Sequence, residues 1–125
     1  MILYIHGFRS SSLSAKAQET RRWLEAQGRG QEWICPDLPP YPLVAMHMLE
    51  TIIRESKEPP TLIGSSLGGF YATVLVARYG LKAVVVNPAV HPGLVLRPAV
   101  GLITSFYGDE QYPFTEQHLQ ELHTL

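Results

Sequence analysis

A serine between two glycines, placed between a short apolar run and a longer one, is the feature that most constrains this chain. Gly64, Ser66 and Gly68 form a G-x-S-x-G motif, with apolar residues 61–63 before it and a helix-like run after it. This pattern is typical of a strand that turns sharply into a helix and carries a nucleophilic serine on the turn. The glycines are expected because side chains there would collide with the neighbouring strand or helix. The motif therefore predicts a strand–turn–helix unit with Ser66 at the start of the helix, where developing negative charge is stabilised.

A second element of the same site is expected after the first strand. Residues 1–5 are an apolar run that predicts a buried strand, and His6-Gly7-Phe8 begins the loop after it. An acyl-transfer enzyme needs two backbone N–H donors directed at the oxyanion. One donor usually belongs to the residue after the nucleophile, here Leu67, and the other to the loop after an early strand, here Phe8. Gly7 would let this loop approach the turn, and we interpret His6 as a brace of the loop rather than a catalytic base.

Strand and helix patterns alternate along the chain. Four short apolar runs have the composition of buried strands, and they span residues 1–5, 32–35, 62–63 and 83–86. Continuously apolar strands separated by helices predict an α/β fold, with a three-layer parallel sheet flanked by helices. Ligands bind beyond the carboxyl ends of such strands, where His6, Ser66 and Asn87 lie.

Local signals mark the ends of the predicted helices. Ser14 is a candidate N-cap for a helix that ends at Gln27, Gly80 stops the helix after Ser66, and Thr115 is a candidate N-cap for the last helix. Another helix follows the proline-rich loop over residues 36–42. One face of this helix is expected to be buried, formed by Ala45, Met48, Leu49 and Ile52.

Four segments in the same order carry a resemblance to a known family. They are residues 4–11 (YIHGFRSS), 35–39 (CPDLP), 63–72 (IGSSLGGFYA) and 86–90 (VNPAV). Together they resemble the small bacterial YqiA-like esterases of the α/β-hydrolase superfamily, over essentially the whole chain. The resemblance implies that Ser66 is the nucleophile and that the backbone N–H groups of Phe8 and Leu67 form the oxyanion hole.

The same resemblance has a consequence for completeness. Members of the family continue through two more strands, which carry the acid and the histidine of a catalytic triad. Residues 1–125 are therefore expected to form one α/β-hydrolase domain that is incomplete at its C-terminal end and lacks the last two strands. Neither the triad acid nor the triad base is identified in this sequence.

Several histidines and acids remain as candidates for the site. His6, Gly7 and His91 are the candidate substrate contacts, although the position of His91 after the fourth strand is more typical of a surface loop. His118 and His123 belong to a terminal amphipathic helix and are interpreted as surface residues. The acids Asp37 and Asp109 are interpreted as loop residues, and Asp109 as part of a turn.

Composition limits the partners that are expected. A chain of 125 residues that is 46% hydrophobic is long enough for one domain with a core, and its net charge of −1 gives no reason to expect nucleic acid or an anionic membrane. The single cysteine, Cys35, and the lack of an N-terminal basic and apolar leader favour a reduced, cytoplasmic location. No nucleotide-binding glycine motif or metal-ligand cluster appears, so we expect no cofactor and no metal.

These observations lead to two hypotheses. The first is a serine hydrolase that acts on small-molecule carboxylic esters or thioesters through an acyl-enzyme on Ser66. The alternative is a catalytically inactive α/β-hydrolase-like protein or fragment with a scaffold or interaction role, in which the glycine-rich turn serves packing. The valine-rich fourth strand would also lie at a sheet edge, so we expect either that the C-terminal segment covers this edge or that the chain forms a homodimer.

Overall fold

A parallel sheet lies at the centre of the molecule. The computed structural model describes residues 1–105 and 111–125, and Asp109 lies outside these ranges. Four strands pair in the order β2-β1-β3-β4, all parallel. Their bounds are Ile2–Ile5 for β1, Trp33–Ile34 for β2, Thr61–Ser65 for β3 and Lys82–Val86 for β4. The predicted strands are confirmed, although β2 is shorter than the predicted 32–35 and β3 is longer than 62–63.

The remaining described elements are helices and one hairpin. The α-helices are α1 (Ala15–Ala26), α2 (Pro42–Glu55), α3 (Leu67–Tyr79), α4 (Pro92–Val95) and α5 (Glu116–Thr124), with 3₁₀ turns at Gly30–Glu32 and Arg97–Ala99. The hairpin pairs β5 (Gly101–Thr104) with β6 (Gln111–Phe114) in antiparallel register and forms a sheet of its own. Helices thus flank a parallel sheet, which confirms the predicted α/β-hydrolase-like fold.

The predicted helix ends follow from local hydrogen bonds. Ser14 is the N-cap of α1, and its side chain accepts a hydrogen bond from the N–H of Ala17. Helix α3 ends at Gly80, which adopts the left-handed conformation and donates its N–H to the carbonyl of Val76. Glycine is favoured there because a side chain is strained at positive φ. Thr115 caps α5, as the sequence predicted.

Both faces of β1 are buried. Leu3 and Ile5 belong to the main hydrophobic cluster, which also contains residues of α2, α3 and α5. Ile2 and Tyr4 alternate with them and therefore point to the opposite face, where they are also buried. Helix α1 contributes its own buried residues outside the main cluster, as expected for a helix that covers this second face. The central strand thus lies between two helical layers.

The buried face of α2 differs from the prediction. Ala45 and Leu49 are fully buried as expected, but Met46 and Ile53 are more deeply buried than the expected Met48 and Ile52, which are half-buried. The start of α2 is apolar nearly all round, so its sequence does not define a single stripe. The extent to which each side chain is buried therefore depends on the elements that pack against α2, among them α5.

Strand β4 lies at the edge of the sheet and is exposed. Val84 is 59% exposed and Val85 is 41% exposed, and these neighbours point to opposite faces. Within residues 1–105 and 111–125, the C-terminal segment does not pair with β4, because β5 and β6 pair with each other. In the described part of the chain the C-terminal segment therefore does not extend the sheet at β4. Formation of a homodimer through this edge stays a prediction.

None of the helices that the structure describes is both long enough and apolar enough to cross a membrane.

Candidate active site

The backbone at Ser66 is strained and firmly anchored. Ser66 has φ 54° and ψ −117°, a conformation that non-glycine residues rarely adopt. Its N–H donates to the carbonyl of Val86 at 3.0 Å, and its carbonyl accepts from the N–H groups of Gly69 at 3.0 Å and Ala89 at 2.9 Å. Strain of this kind costs about 1–3 kcal/mol and persists only where the surroundings determine it. The contacts with the end of β4 and the segment after it provide that support.

The glycines around Ser66 are required by close packing of main chain. A Cβ atom added to Gly68 would lie 2.6 Å from the carbonyl oxygen of His6, and one added to Gly64 would lie 2.8 Å from the Cα of Gly69. A Cβ on Gly7 would lie 3.3 Å from the Cβ of Ser66. The loop after β1 and the start of α3 therefore approach each other at backbone distance.

Ser66 is exposed and lies in the wall of a cavity of about 560 Å³ at the carboxyl end of the sheet. The residues that line this cavity are Tyr4, His6, Gly7, Phe8, Ser10, Ser14, Ala15, Lys16, Ser65, Ser66, Leu67, Ala89, Val95 and Leu96. The structure thus brings together the candidate nucleophile, both candidate oxyanion donors and two of the three candidate substrate contacts.

The N–H groups of Phe8 and Leu67 have no partner within the described parts of the chain. Neither one donates a hydrogen bond to a backbone or side-chain acceptor there. Leu67 is the first residue of α3, where the helix itself offers no acceptor. Both residues line the cavity beside Ser66. Two unsatisfied donors next to a nucleophile are the arrangement that an oxyanion hole requires.

His6 is committed to the scaffold through both ring nitrogens. Its side chain is only 4% exposed, and the N–H of Leu38 donates to Nε2 at 2.8 Å. Since a backbone N–H can only donate, Nε2 carries no proton. Nδ1 therefore carries it and donates to the carbonyl of Gly7 at 2.8 Å. His6 ties the loop after β1 to the loop after β2, and neither nitrogen remains to deprotonate Ser66.

This buried histidine makes the stability of the protein depend on pH. Burial lowers the pKa of His6 below its ordinary value, against weaker opposing effects of Gly7 and Asp37. The unfolded chain then binds the proton first, so the free energy of unfolding should fall as the pH drops below about 6.5 toward the folded-state pKa. Urea titrations between pH 5 and pH 8 should show this slope in the wild type and in His47→Gln, which alters an exposed histidine. An unchanged slope in His6→Gln would contradict the assignment.

The structure places His91 outside the cavity that contains Ser66. His91 lines a separate cavity of about 390 Å³ together with His123. Two residues earlier, Ala89 is the one that lines the Ser66 cavity and is hydrogen-bonded to Ser66. The chain then turns away, because the carbonyl of His91 accepts the first hydrogen bonds of α4, from Leu94 and Val95.

His118 has a structural role that its interpretation as a surface residue missed. Its Nδ1 accepts from the N–H of Thr115 at 3.0 Å, and its own N–H donates to the Thr115 hydroxyl. The half-buried ring lies against Tyr41, with 4.4 Å between ring centroids. This is a capping box in which histidine takes the place of the usual Glu or Gln. The spacing Thr115-x-x-His118 is the signal that would have indicated it.

Asp37, the remaining candidate acid, and Cys35 have no role in the cavity that contains Ser66. Asp37 accepts a hydrogen bond from the N–H of Ser12 at 2.7 Å, so it joins two loops. Cys35 is half-buried directly after β2, and burial raises the pKa of its thiol to about 12. A protonated thiol is a poor nucleophile.

In residues 1–105 and 111–125 there is also no group of three or more His, Cys, Asp or Glu that could hold a metal ion.

Comparison with models of protein families identifies the family of this chain. The family model described as "Uncharacterised protein family (UPF0227)" matches residues 1–125. The chain belongs to the UPF0227 family. This is the YqiA-like family that the four motif segments resembled, so the resemblance is confirmed.

The motif segments of this UPF0227 chain meet at the cavity. Residues 4–11 and 63–72 supply most of its lining, and residues 86–90 contribute Ala89. Segment 35–39 contributes Leu38, which holds His6 in place. Each of the four segments thus either lines the cavity or supports a residue that does.

Several cavity residues of the UPF0227 chain were not anticipated from its sequence. They include Ser10, Ser14 and Lys16 near the start of α1, and Val95 and Leu96 at the end of α4. The signal for the first group was the N-cap at Ser14, because a helix that begins soon after β1 must start near the carboxyl end of the sheet. No local sequence pattern indicated that Val95 and Leu96 would line the same cavity as Ser66.

Proposed function

We propose that this UPF0227 protein is a serine hydrolase that cleaves carboxylic esters or thioesters through an acyl-enzyme on Ser66. The observation that carries the proposal is that the candidate nucleophile and both candidate oxyanion donors line the same cavity. The exposed Ser66 lies there on a strained, anchored turn, next to the unpartnered N–H groups of Phe8 and Leu67. A turn that only packed tightly would have no need of unsatisfied donors beside an exposed serine.

The chemistry divides into two steps. In the first, the hydroxyl oxygen of Ser66 attacks the carbonyl carbon, and the N–H groups of Phe8 and Leu67 stabilise the oxyanion that forms. The alcohol or thiol leaves with the proton that Ser66 loses, and the acyl group remains on the serine. In the second step, water attacks the acyl-enzyme and releases the acid. The proposed reaction uses a small-molecule ester and no cofactor, and we place it in the cytoplasm.

The described lining of the cavity provides oxyanion donors for these steps but no free histidine to act as a base. His6 is the one histidine among the described residues that line it, and both of its nitrogens are engaged. Oxyanion stabilisation and binding without a complete triad still accelerate acyl transfer by about 10³–10⁴ over water. The described part of the chain therefore supports acylation by activated esters better than rapid turnover.

An inactive scaffold is the second candidate, favoured by this same lack of a free imidazole in the described cavity. It would associate through the exposed edge of β4, which offers unpaired main chain and the side chains of Val84 and Val85 to a second copy. A scaffold role makes no demand on the reactivity of Ser66, so labelling of this serine distinguishes the two candidates.

The test is covalent labelling with a fluorophosphonate, followed by peptide mapping. Wild-type protein should carry one adduct, on Ser66, and Ser66→Ala should carry none. Ser65→Ala is the matched control, since Ser65 is the adjacent hydroxyl but is only 9% exposed, and it should label like the wild type. An adduct on Ser65, or equal labelling of Ser66→Ala and wild type, would refute the proposal.

A further inference from the structure

The lining of the cavity that contains Ser66 combines two kinds of side chain. Ala89, Val95 and Leu96 are apolar, whereas Ser10, Ser14 and Lys16 have hydrogen atoms to donate. A ligand that fills the cavity therefore meets both hydrocarbon and hydrogen-bond donors.

Lys16 gives this lining its charge. Among the described residues that line this cavity there is no carboxylate and no arginine, and His6 is held neutral. The Lys16 ammonium is thus the one formal charge in the described wall. It is not balanced by any acid that shares the cavity.

The ammonium is also free of ion pairs in the part of the chain that the structure describes. Glu19 lies three residues further along α1, at a spacing that often gives a salt bridge, yet no pair forms between the two. Arg21 and Glu25 on the same helix do pair, at 2.8 Å. Lys16 is exposed and belongs to the lining of the cavity.

We propose that Lys16 determines substrate specificity by binding an anionic group, a carboxylate or a phosphate, on the ester at a distance from the reacting carbonyl. This inference rests on the proposed function, because it takes the ester carbonyl to lie at Ser66. The substrate class is then an ester with an apolar body that packs against Val95 and Leu96 and an anionic end that reaches Lys16. The hydroxyls of Ser10 and Ser14 are further donors in the same lining.

The test compares matched activated esters. The first is the mono-4-nitrophenyl ester of suberic acid with a free carboxylate, whose chain is too long for the carboxylate to attack its own ester through a small ring. The second is its neutral methyl-capped form, and the third carries a terminal phosphate. The measured quantity is the rate constant for acylation of Ser66, from nitrophenolate release and intact mass. Wild-type protein should acylate about three- to tenfold faster with an anionic ester than with the neutral one at low salt, and the ratio should approach one as salt is added. Comparison of the carboxylate and the phosphate identifies the preferred anion.

Variants at Lys16 should change this ratio in a defined order. It should persist in Lys16→Arg, fall to about one in Lys16→Gln and fall below one in Lys16→Glu, since a cation, a neutral group and an anion then face the substrate. Lys57→Gln is the matched control, because it removes the same charge from an exposed loop position outside this cavity. An unchanged ratio in Lys16→Gln, or an equal fall in Lys57→Gln, would overturn the inference.

A binding arm separates failure of this inference from failure of the proposed function. Calorimetry with Ser66→Ala and the suberic half-amide of an aniline, which is not cleaved, measures recognition of the anion without chemistry. Weaker binding when Lys16→Gln is added supports the inference even if Ser66 proves unreactive. If Ser66 is acylated but no variant of Lys16 alters the ratio or the binding, the proposed function stands and the inference falls.

Discussion

Wild-type protein mixed with excess 4-nitrophenyl acetate is expected to release about one equivalent of nitrophenolate per chain in a burst and then to turn over slowly. Acylation is the less demanding step, because 4-nitrophenolate leaves without a proton and Ser66 is exposed beside the unpartnered N–H groups of Phe8 and Leu67. Hydrolysis of the acyl-enzyme needs a base to activate water, and the one histidine in the described lining has both nitrogens engaged. Stopped-flow absorbance with known protein concentration measures both phases.

Ser66→Ala should remove the burst completely and change the slow phase by less than about tenfold, since residues of a triad act as a unit and loss of one already removes most of their joint effect. Ser65→Ala should retain the burst. A loss of about 10⁶ in the steady-state rate of Ser66→Ala would instead show that a base is working. Single alanine substitutions at His91, His118 and His123 would then identify it.

Gly68→Ala is expected to destabilise the fold by about 3 kcal/mol or more, because overpacking here meets main chain rather than a movable side chain. The added Cβ would lie 2.6 Å from the carbonyl oxygen of His6 and would also collide with the carbonyl of Ile5. Relief requires that the whole start of α3 moves away from β1. Chemical denaturation monitored by circular dichroism measures the loss.

Gly80→Ala is the control for this substitution, on the same helix. Gly80 has φ +65°, but a Cβ there would have no atom within 4 Å, so only the backbone strain of about 1–2 kcal/mol applies. If Gly68→Ala proves no more destabilising than Gly80→Ala, the close approach of the loop and the helix does not exist in solution.

Besides the parallel sheet, which the alternation of strand and helix patterns indicated, the sequence predicted the features that have short-range causes. The N-cap at Ser14, the stop at Gly80 and the cap at Thr115 each depend on atoms within a few residues. The buried face of α2 and the β5–β6 hairpin were not predicted, because they depend on which distant segments meet. Positions 46 and 48 carry the same methionine side chain, and only the packing of the folded chain buries Met46 more fully than Met48.

The candidate site divides in the same way. Ser66 and Leu67 follow from a motif whose spacing fixes a single local turn, and Phe8 follows from the loop after the first strand. Lys16 lines the cavity only because α1 begins near the carboxyl end of β1, which is a matter of topology. His91 was a candidate substrate contact because it follows a strand, but it lines a different cavity beside the start of α4.

The support of residue 66 comes entirely from its main chain. Its N–H and its carbonyl make four hydrogen bonds, with Val86, Gly69, Phe70 and Ala89. None of these bonds involves the side chain, so the backbone alone fixes where the side chain of residue 66 begins. A cysteine or an aspartate at this position would begin from the same point. Selection or design can therefore exchange the proposed nucleophile for another type while the architecture around it stays the same.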